Sequence, residues 1–234
     1  MMSKPFHIAM DGPVAAGKGT IARLTAERLG FLYVDTGAMY RMTAYLGLQR
    51  GVALTDEPKL VELITNTKMD MRNPNELEKD GRLTTVFLDG EDVSWKIRTE
   101  AVSAGSSAVA VLPEVRKVLV EKQQQIAADK DVVMEGRDIT YRVLPNADLK
   151  IYLTGDDVVR AKRRHLQLQN RGDDTSFDEV YEELLKRDKQ DMNREYDPLK
   201  ITPDAWVVDT SDLAIEQVVD LIVAKVRVIR GEHE

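Results

Sequence analysis

The chain has 234 residues, of which 43% are hydrophobic and 31% are charged, as in an ordinary globular protein. Its formal charge of −7 disfavours general binding to nucleic acid or anionic membranes, because electrostatics opposes both. Without cysteine there is no disulfide, thiol catalysis or cysteine-ligated metal, and His7, His165 and His233 are too scattered to suggest a histidine metal site. No apolar stretch approaches the roughly 18 residues of a membrane span, and no signal-peptide core is visible. We therefore expect a cytoplasmic protein, and we expect it to be a monomer.

Short β-type runs alternate with helical patterns along most of the chain. This alternation predicts an α/β fold with a parallel five-stranded sheet flanked by helices. Each predicted strand ends near a Gly, Asp or Thr, the kind of edge where α/β proteins place ligands. The predicted strands are Phe6–Met10, Phe31–Asp35, Asp131–Glu135, Leu149–Leu153 and Trp206–Asp209.

The helices are predicted from apolar stripes of period 3.6 and from their end signals. Ser176 and Glu179 form a Ser-x-x-Glu capping box in front of one of these stripes. The predicted helices run from about Gly17 to Gly30, after "DTGAMYR", after Pro113, after Ser176, and from about Ser211.

Residues 65–105, approximately, interrupt the α/β rhythm. The segment "RLTTVFLDGEDVSWKI" places the pair Asp89-Gly90 between two β-rich runs, which predicts a hairpin. We interpret this region as a small β-containing insert.

The stretch "GPVAAGKGT" follows the first predicted strand and satisfies the pattern G-x-x-x-x-G-K. Glycines at 12 and 17 let backbone N–H groups surround phosphate oxygens, the following helix directs its dipole there, and Lys18 supplies a charge for β and γ oxygens. The alternative is a glycine-rich turn with an exposed lysine. The pattern predicts a nucleoside triphosphate site formed by Gly12, Pro13, Val14, Ala15, Ala16, Gly17, Lys18, Gly19 and Thr20.

A second anion site is suggested by "LYVDTGAMYR". Asp35 and Thr36 close a strand, and Arg41 follows on the next predicted helix. The alternative is a helix capped by Asp35 or Thr36, with Arg41 in solvent.

Together these two stretches resemble the bacterial cytidylate kinases, nucleoside monophosphate kinases among the P-loop proteins. Three later segments continue the resemblance in order, from Ile8 to the end of the chain: "IRTEAVSAGSSAVAVLPEVR", "GRDI" and "RDKQDMNREYDPL". The resemblance implies direct transfer of a phosphoryl group from ATP to CMP or dCMP, with Mg²⁺. Thr20 is the candidate side-chain ligand for that ion, and we expect no metal site made by a direct side-chain cluster.

The resemblance also implies three regions. These are a CORE at 1–40, 107–157 and 197–234, a monophosphate-binding region at 41–106 with the insert, and a mobile helical LID with its following helix at 158–196.

Carried onto this sequence, the resemblance implies a set of CMP contacts. Arg187, Asp191 and Arg194 are spaced i, i+4 and i+7, so on one helix they would share an edge, and Asp191 would accept from a ribose hydroxyl. The alternative for these three is a pair of surface salt bridges. The implied CMP contacts are Asp35, Thr36, Arg41, Ser107, Arg116, Arg137, Asp138, Arg187, Asp191 and Arg194.

The run 160–172 contains five Lys or Arg and no acid. A charge run of this kind is commonly a solvated helix face. In a phosphoryl transferase, arginines from a closing lid stabilise the transition state. Because Arg160 and Arg164 are spaced i,i+4, we favour them over Arg163, and we predict Lys18, Arg137, Arg160 and Arg164 as the catalytic residues.

Three alternatives stay open, of which the least favoured is a structural protein with a relic nucleotide site and no turnover. A kinase of the same fold could phosphorylate UMP, AMP or shikimate instead of CMP. A nucleotide-switch protein would bind the triphosphate without a second substrate.

The sequence departs from the family pattern at five positions. Ala15 stands where a third glycine is usual, Thr36 replaces a serine and Glu135 replaces an aspartate. Thr140 and Tyr141 replace the Gly-Thr that normally follows Gly-Arg-Asp, so the path of the chain after Asp138 is open.

Overall fold

A computed structural model of the chain describes residues 4–78, 80–170 and 172–232. Its strands are β1 (His7–Asp11), β2 (Leu32–Asp35), β3 (Met69–Arg72), β4 (Thr85–Leu88), β5 (Glu91–Asp92), β6 (Val132–Gly136), β7 (Leu149–Thr154) and β8 (Trp206–Asp209). Its α-helices are α1 (Lys18–Leu29), α2 (Thr36–Gln49), α3 (Glu57–Asn66), α4 (Glu100–Val109), α5 (Pro113–Ala127), α6 (Asp157–Gln169), α7 (Phe177–Asn193) and α8 (Ile215–Arg230).

The main sheet has the strand order β2-β6-β1-β7-β8. Strand β1 pairs in parallel with β7, from Ile8↔Leu149 to Asp11↔Tyr152, and β7 pairs in parallel with β8. The predicted five-stranded parallel sheet is confirmed, and each predicted strand boundary lies within one residue of the observed one. These segments are easy to predict because both faces of such a strand are buried, so the strand is a continuous apolar run.

The described residues divide into two compact units. The first unit comprises residues 4–7 and 30–134, and the second comprises residues 8–29 and 135–232. In the first unit, α2 packs on α4 and α3 packs on α5. In the second unit, α1 packs on α8 and α6 packs on α7.

The predicted insert forms a three-stranded antiparallel sheet of order β3-β4-β5 in the first unit. The hairpin prediction is confirmed, since Leu88 pairs with Glu91 across Asp89-Gly90. Asp89 and Gly90 have φ values of 49° and 88°, the two positive values that a tight hairpin turn needs. Strand β3 was not predicted.

Two helices of the first unit were also not predicted. The α3 segment carries a start signal, because Asp56 caps the helix and Pro58 lies in its first turn. The α4 segment is rich in serine and has a glycine in its interior, so its intrinsic helix propensity is low. Burial of Val102 and Val109 stabilises it instead.

Among the residues that the structure describes, none of the helices is both long enough and apolar enough to cross a membrane.

Candidate active site

The turn between β1 and α1 closely approaches strand β7. A Cβ atom on Gly12 would lie 2.1 Å from the backbone oxygen of Leu153, so only glycine fits at this point of the turn. Ala15 has a φ of 58°, a left-handed conformation that costs a non-glycine residue about 1–2 kcal/mol. The turn is therefore held in a strained conformation at Ala15.

Lys18 is the first residue of α1, and its side chain points back into this turn. It is 6% exposed, and its Nζ donates to the backbone oxygen of Pro13 at 2.7 Å. Burial and the nearby guanidinium of Arg137 lower the pKa of Lys18 to about 7, although the carboxylates of Glu135 and Asp191 oppose this shift. The alternative of a turn with an exposed lysine is thus wrong.

Arg137 follows β6 and is oriented by helix α7. Its Nε donates to Asp191 Oδ2 at 2.6 Å, and its Nη1 donates to the oxygen of Gly136 at 3.1 Å. Two residues predicted to bind CMP, 54 positions apart in sequence, are thereby brought together. Arg137 lies close enough to Lys18 for its charge to lower the pKa of Lys18, and both side chains are able to donate to an anionic ligand.

The prediction that Arg194 lies on the same helix as Arg187 and Asp191 is wrong. Helix α7 ends at Asn193, and Arg194 has the extended backbone of its C-cap, with φ −64° and ψ 146°. Arg194 still faces Asp138, with 3.7 Å between its Nη2 and Asp138 Oδ1. Arg187 is exposed on α7.

Asp11 anchors the loop that carries Arg137 and Asp138. Its carboxylate accepts from the backbone nitrogens of Ile139 and Thr140, both at 2.9 Å, and from Thr140 Oγ1 at 2.7 Å. Burial raises the pKa of Asp11, and the donors from Thr140 and Ile139 oppose the rise. Thr140 therefore contributes two donors to Asp11, its backbone N–H and its hydroxyl.

The path after Asp138, which the sequence left open, is a single π-helical turn over Ile139–Val143. The hydroxyl of Tyr141 donates to the backbone oxygen of Pro198 at 2.6 Å, which ties this turn to the segment after α7.

In the first unit, Asp35 caps α2 and pairs with Arg41. Its Oδ1 accepts from the nitrogen of Ala38 at 3.0 Å, and its Oδ2 accepts from Arg41 Nη2 at 2.6 Å. Burial alone would raise the pKa of Asp35, but Arg41 and Arg98 outweigh it and the net shift is downward. Thr36 is buried as the first residue of α2. Asp35 is thus the helix cap that the alternative expected, but Arg41 pairs with Asp35 instead of lying in solvent. The second anion site stays a prediction.

Ser107 and Arg116, the other CMP contacts predicted in this unit, differ in exposure. Ser107 is exposed on α4. Arg116 is 2% exposed, its Nη1 donates to the oxygen of Ala110 at 3.1 Å, and its guanidinium lies 5.6 Å from the ring centre of Tyr40.

The cationic run on α6 is not the solvated helix face of the alternative interpretation, because its members differ in exposure. Arg160 is buried, with 3% of its side chain exposed, and it bonds to backbone oxygens and carboxylates. Arg163 donates two hydrogen bonds to Thr210. Its Nη1 donates to the Thr210 hydroxyl, and its Nη2 donates to the backbone oxygen of Thr210. Arg164 is half-buried, and Arg171 lies outside the described residues. The i,i+4 spacing placed Arg160 on α6 correctly but gave no information about what packs against it.

Asp188 was missed by the sequence reading. It is buried on α7, and its Oδ1 accepts from the backbone nitrogen of Val14 at 2.8 Å. A signal was present, because Asp188 continues the apolar stripe of Val180 and Leu184 at i+4 spacing. A carboxylate on a buried stripe requires a partner.

No group of three or more His, Asp or Glu that could hold a metal ion was found in residues 4–78, 80–170 and 172–232. Thr20, the candidate ligand, is half-buried in the first turn of α1.

Comparison with known proteins gives consistent results over nearly the whole chain. The family model described as cytidylate kinase matches residues 8–228. A cytidylate kinase of Caldicellulosiruptor bescii is 45% identical over 219 residues, which cover 94% of each chain. A cytidylate kinase of Bacillus subtilis is 44% identical over 225 residues, which cover 96% of this chain and 98% of the relative.

A solved structure of an uncharacterized protein from Eubacterium ventriosum covers 94% of this chain and 98% of its own, with a TM-score of 0.53 and 9% identity. At that identity the likeness concerns the fold alone. From the family model and the identity to its relatives, the chain belongs to the cytidylate kinase family.

Proposed function

We propose that the protein transfers the γ-phosphoryl group of ATP to CMP and dCMP, giving ADP with CDP or dCDP. An oxygen of the CMP phosphate attacks the γ-phosphorus in line, and the bond from that phosphorus to the bridging oxygen of ADP breaks. No covalent enzyme intermediate is needed, because positioning and charge stabilisation carry this chemistry.

The proximity of Lys18 and Arg137 is the observation that supports the proposal best. Two side chains that can each donate to a phosphate lie close enough for the charge on Arg137 to lower the pKa of Lys18. Lys18 reaches from the phosphate loop and serves the β- and γ-phosphates of ATP. Arg137, oriented by Asp191, serves the acceptor phosphate.

The remaining predicted contacts complete the proposal. Asp191 and Arg187 face the ribose and phosphate of CMP, and Asp138 with Arg194 faces the base. Arg164 is the proposed lid cation. The contacts predicted in the first unit keep their proposed roles in binding CMP: Asp35, Thr36, Arg41, Ser107 and Arg116.

Mg²⁺ bound with ATP would neutralise part of the charge on the β- and γ-phosphates. Thr20 is its proposed side-chain ligand. The division into CORE, monophosphate-binding region and LID, and a cytoplasmic monomer as the working form, belong to the same proposal.

The acceptor specificity is tested by measuring ADP release with CMP, dCMP, UMP, AMP, GMP and shikimate at saturating ATP and Mg²⁺. We expect kcat/KM for CMP and dCMP to exceed the values for AMP, GMP and shikimate by about 10²-fold or more, because a site with buried polar groups rejects a mismatched acceptor. A preference for AMP, UMP or shikimate would contradict the cytidylate assignment. ATP consumption that does not respond to CMP would instead indicate a nucleotide-switch protein.

The low pKa of Lys18 predicts that ATP binding takes up a proton. Before ATP binds, Lys18 is largely neutral at pH 8, since its pKa is about 7. The phosphates favour the ammonium form, so binding takes up roughly 0.5 to 1 proton at pH 8, and ATP affinity falls as the pH rises above 7. Calorimetric titrations in two buffers of different ionisation enthalpy measure the uptake.

The control for this measurement is Lys18→Arg, because a guanidinium stays protonated throughout the range. Uptake should vanish in this variant. Equal uptake by the variant and the unaltered protein would show that another group titrates.

A further inference from the structure

Arg160 and Asp188 form a buried ion pair between α6 and α7. Their side chains are 3% and 7% exposed, and Arg160 Nη1 lies 2.7 Å from Asp188 Oδ2. Arg160 also donates to the backbone oxygen of Gly155 at 3.0 Å and to the carboxylate of Asp157. The Arg160 guanidinium is thus occupied by protein acceptors, which differs from the predicted contact with the moving phosphoryl group.

Both members of this pair hold the same residue of the phosphate loop. Asp188 Oδ1 accepts from the backbone nitrogen of Val14 at 2.8 Å, and Arg160 Nη1 donates to the backbone oxygen of Val14 at 2.6 Å. The N–H and the C=O of Val14 are therefore both fixed by side chains of the helices α6 and α7. An ordinary turn would satisfy these groups with water or nearby backbone.

Apolar contacts reinforce the attachment. The side chain of Val14 packs with Ala161 of α6 and Leu184 of α7 in a buried cluster. Ala15 and two aromatic residues, Phe177 and Tyr181, pack against this cluster. The two helices thus contact the loop through both polar and apolar groups.

The residue that follows Val14 is the strained one. Ala15 has a φ of 58°, and a non-glycine residue stays in such a conformation only where its surroundings fix it. We propose that Arg160 and Asp188 are positioning residues that fix Val14 and thereby keep the phosphate loop in the conformation that binds ATP. This inference rests on the proposed function only in taking ATP as the ligand.

The test compares ATP binding with CMP use in variants of the pair. Asp188→Asn keeps the shape of the side chain but removes its negative charge. Because this variant deprives the buried Arg160 of the Asp188 carboxylate and could misfold, the double variant Arg160→Met/Asp188→Leu removes both charges together. We expect the Kd of ATP with Mg²⁺, measured without acceptor, to rise about tenfold or more in both, with KM for CMP changing less than about twofold.

The substitution Ala15→Gly tests whether the pair acts through the strained loop, because it should restore part of the ATP affinity that the pair's variants lose. Glycine adopts the left-handed conformation without strain, so the loop then depends less on Arg160 and Asp188 to hold it. In the double variant Ala15→Gly/Asp188→Asn, the Kd of ATP should be about threefold lower than in Asp188→Asn alone, which offsets part of the tenfold loss in affinity. A role of the pair in general stability would lower the melting temperature without this selective rescue.

The matched control is Asp157→Asn, because Asp157 bonds to the same guanidinium, is half exposed and does not bond to the loop. Its Kd for ATP should stay within about twofold of the unaltered protein. Unchanged ATP affinity in both variants of the pair, or failure of Ala15→Gly to restore it, would overturn the inference. Absence of CMP phosphorylation by an unaltered protein that binds ATP would contradict only the proposed function.

Discussion

Replacing Lys18 with methionine is expected to lower kcat for CMP phosphorylation by about 10²–10³-fold, the loss typical for one preorganised charge at a developing anion. Lys18 is the only side-chain cation that the phosphate loop itself, residues 12–20, provides. Its loss removes stabilisation of the transferring phosphoryl group, whereas KM for CMP should change much less. Initial rates at saturating ATP and CMP measure this.

The same substitution is not expected to destabilise the fold at neutral pH. The pKa of Lys18 in the folded protein is about 7, below its ordinary value of 10.5, so protonation of this buried amine opposes folding. That cost is full below pH 7 and declines as the pH rises from 7 towards 10.5. Methionine removes it, and thermal melting at about pH 6 should show a melting temperature equal to or above that of the unaltered protein.

Lys162→Met is the control, because Lys162 is exposed on α6. It should leave kcat unchanged. A Lys18→Met protein that is folded and retains more than about a tenth of the original kcat would disprove the role assigned to Lys18.

Replacing Gly12 with alanine is expected to lower the free energy of unfolding by about 3 kcal/mol, at the upper end for overpacked sites. The added Cβ would lie 2.1 Å from the oxygen and 3.1 Å from the carbonyl carbon of Leu153, which are backbone atoms. To relieve this overlap, either β1 must separate from β7 or the phosphate loop must move outward. Denaturant unfolding measures the stability, and a titration with ATP and Mg²⁺ should show an affinity loss of about tenfold or more.

Gly30→Ala separates the close approach from the backbone effect. Gly30 has a φ of 70°, but apart from its own chain neighbours no heavy atom lies within 4 Å of the point that an added Cβ would occupy. Alanine there should cost only the left-handed penalty of about 1 kcal/mol and should leave ATP affinity unchanged. Equal effects of the two substitutions would show that the contact with Leu153 is unimportant.

Local sequence signals predicted most of the main sheet and the ends of several elements. The five strands, the Asp89-Gly90 hairpin and the Ser176 capping box all follow from turn chemistry and apolar runs, which depend on near neighbours in the chain. The phosphate loop was equally clear, because its motif fixes both the glycines and the lysine.

The side-chain partners were predicted less well, for a physical reason. Arg160 and Asp188 lie on periodic helices, but their pairing through Val14 joins positions far apart in sequence. Arg194 was placed on α7 because nothing in the polar sequence around it marks the helix end at Asn193. The π-helical turn after Asp138 depends on the carboxylate of Asp11, which local propensity does not include.

The order of synthesis on the ribosome has a consequence for this discontinuous second unit. Strand β1 is synthesised well before its parallel partner β7, which is completed only at Thr154. At translation speeds of about 5–20 residues per second, β1 waits on the order of 10 s for that partner. Until then, the nucleotide-binding turn lacks the backbone atoms of Leu153 that Gly12 approaches in the folded unit.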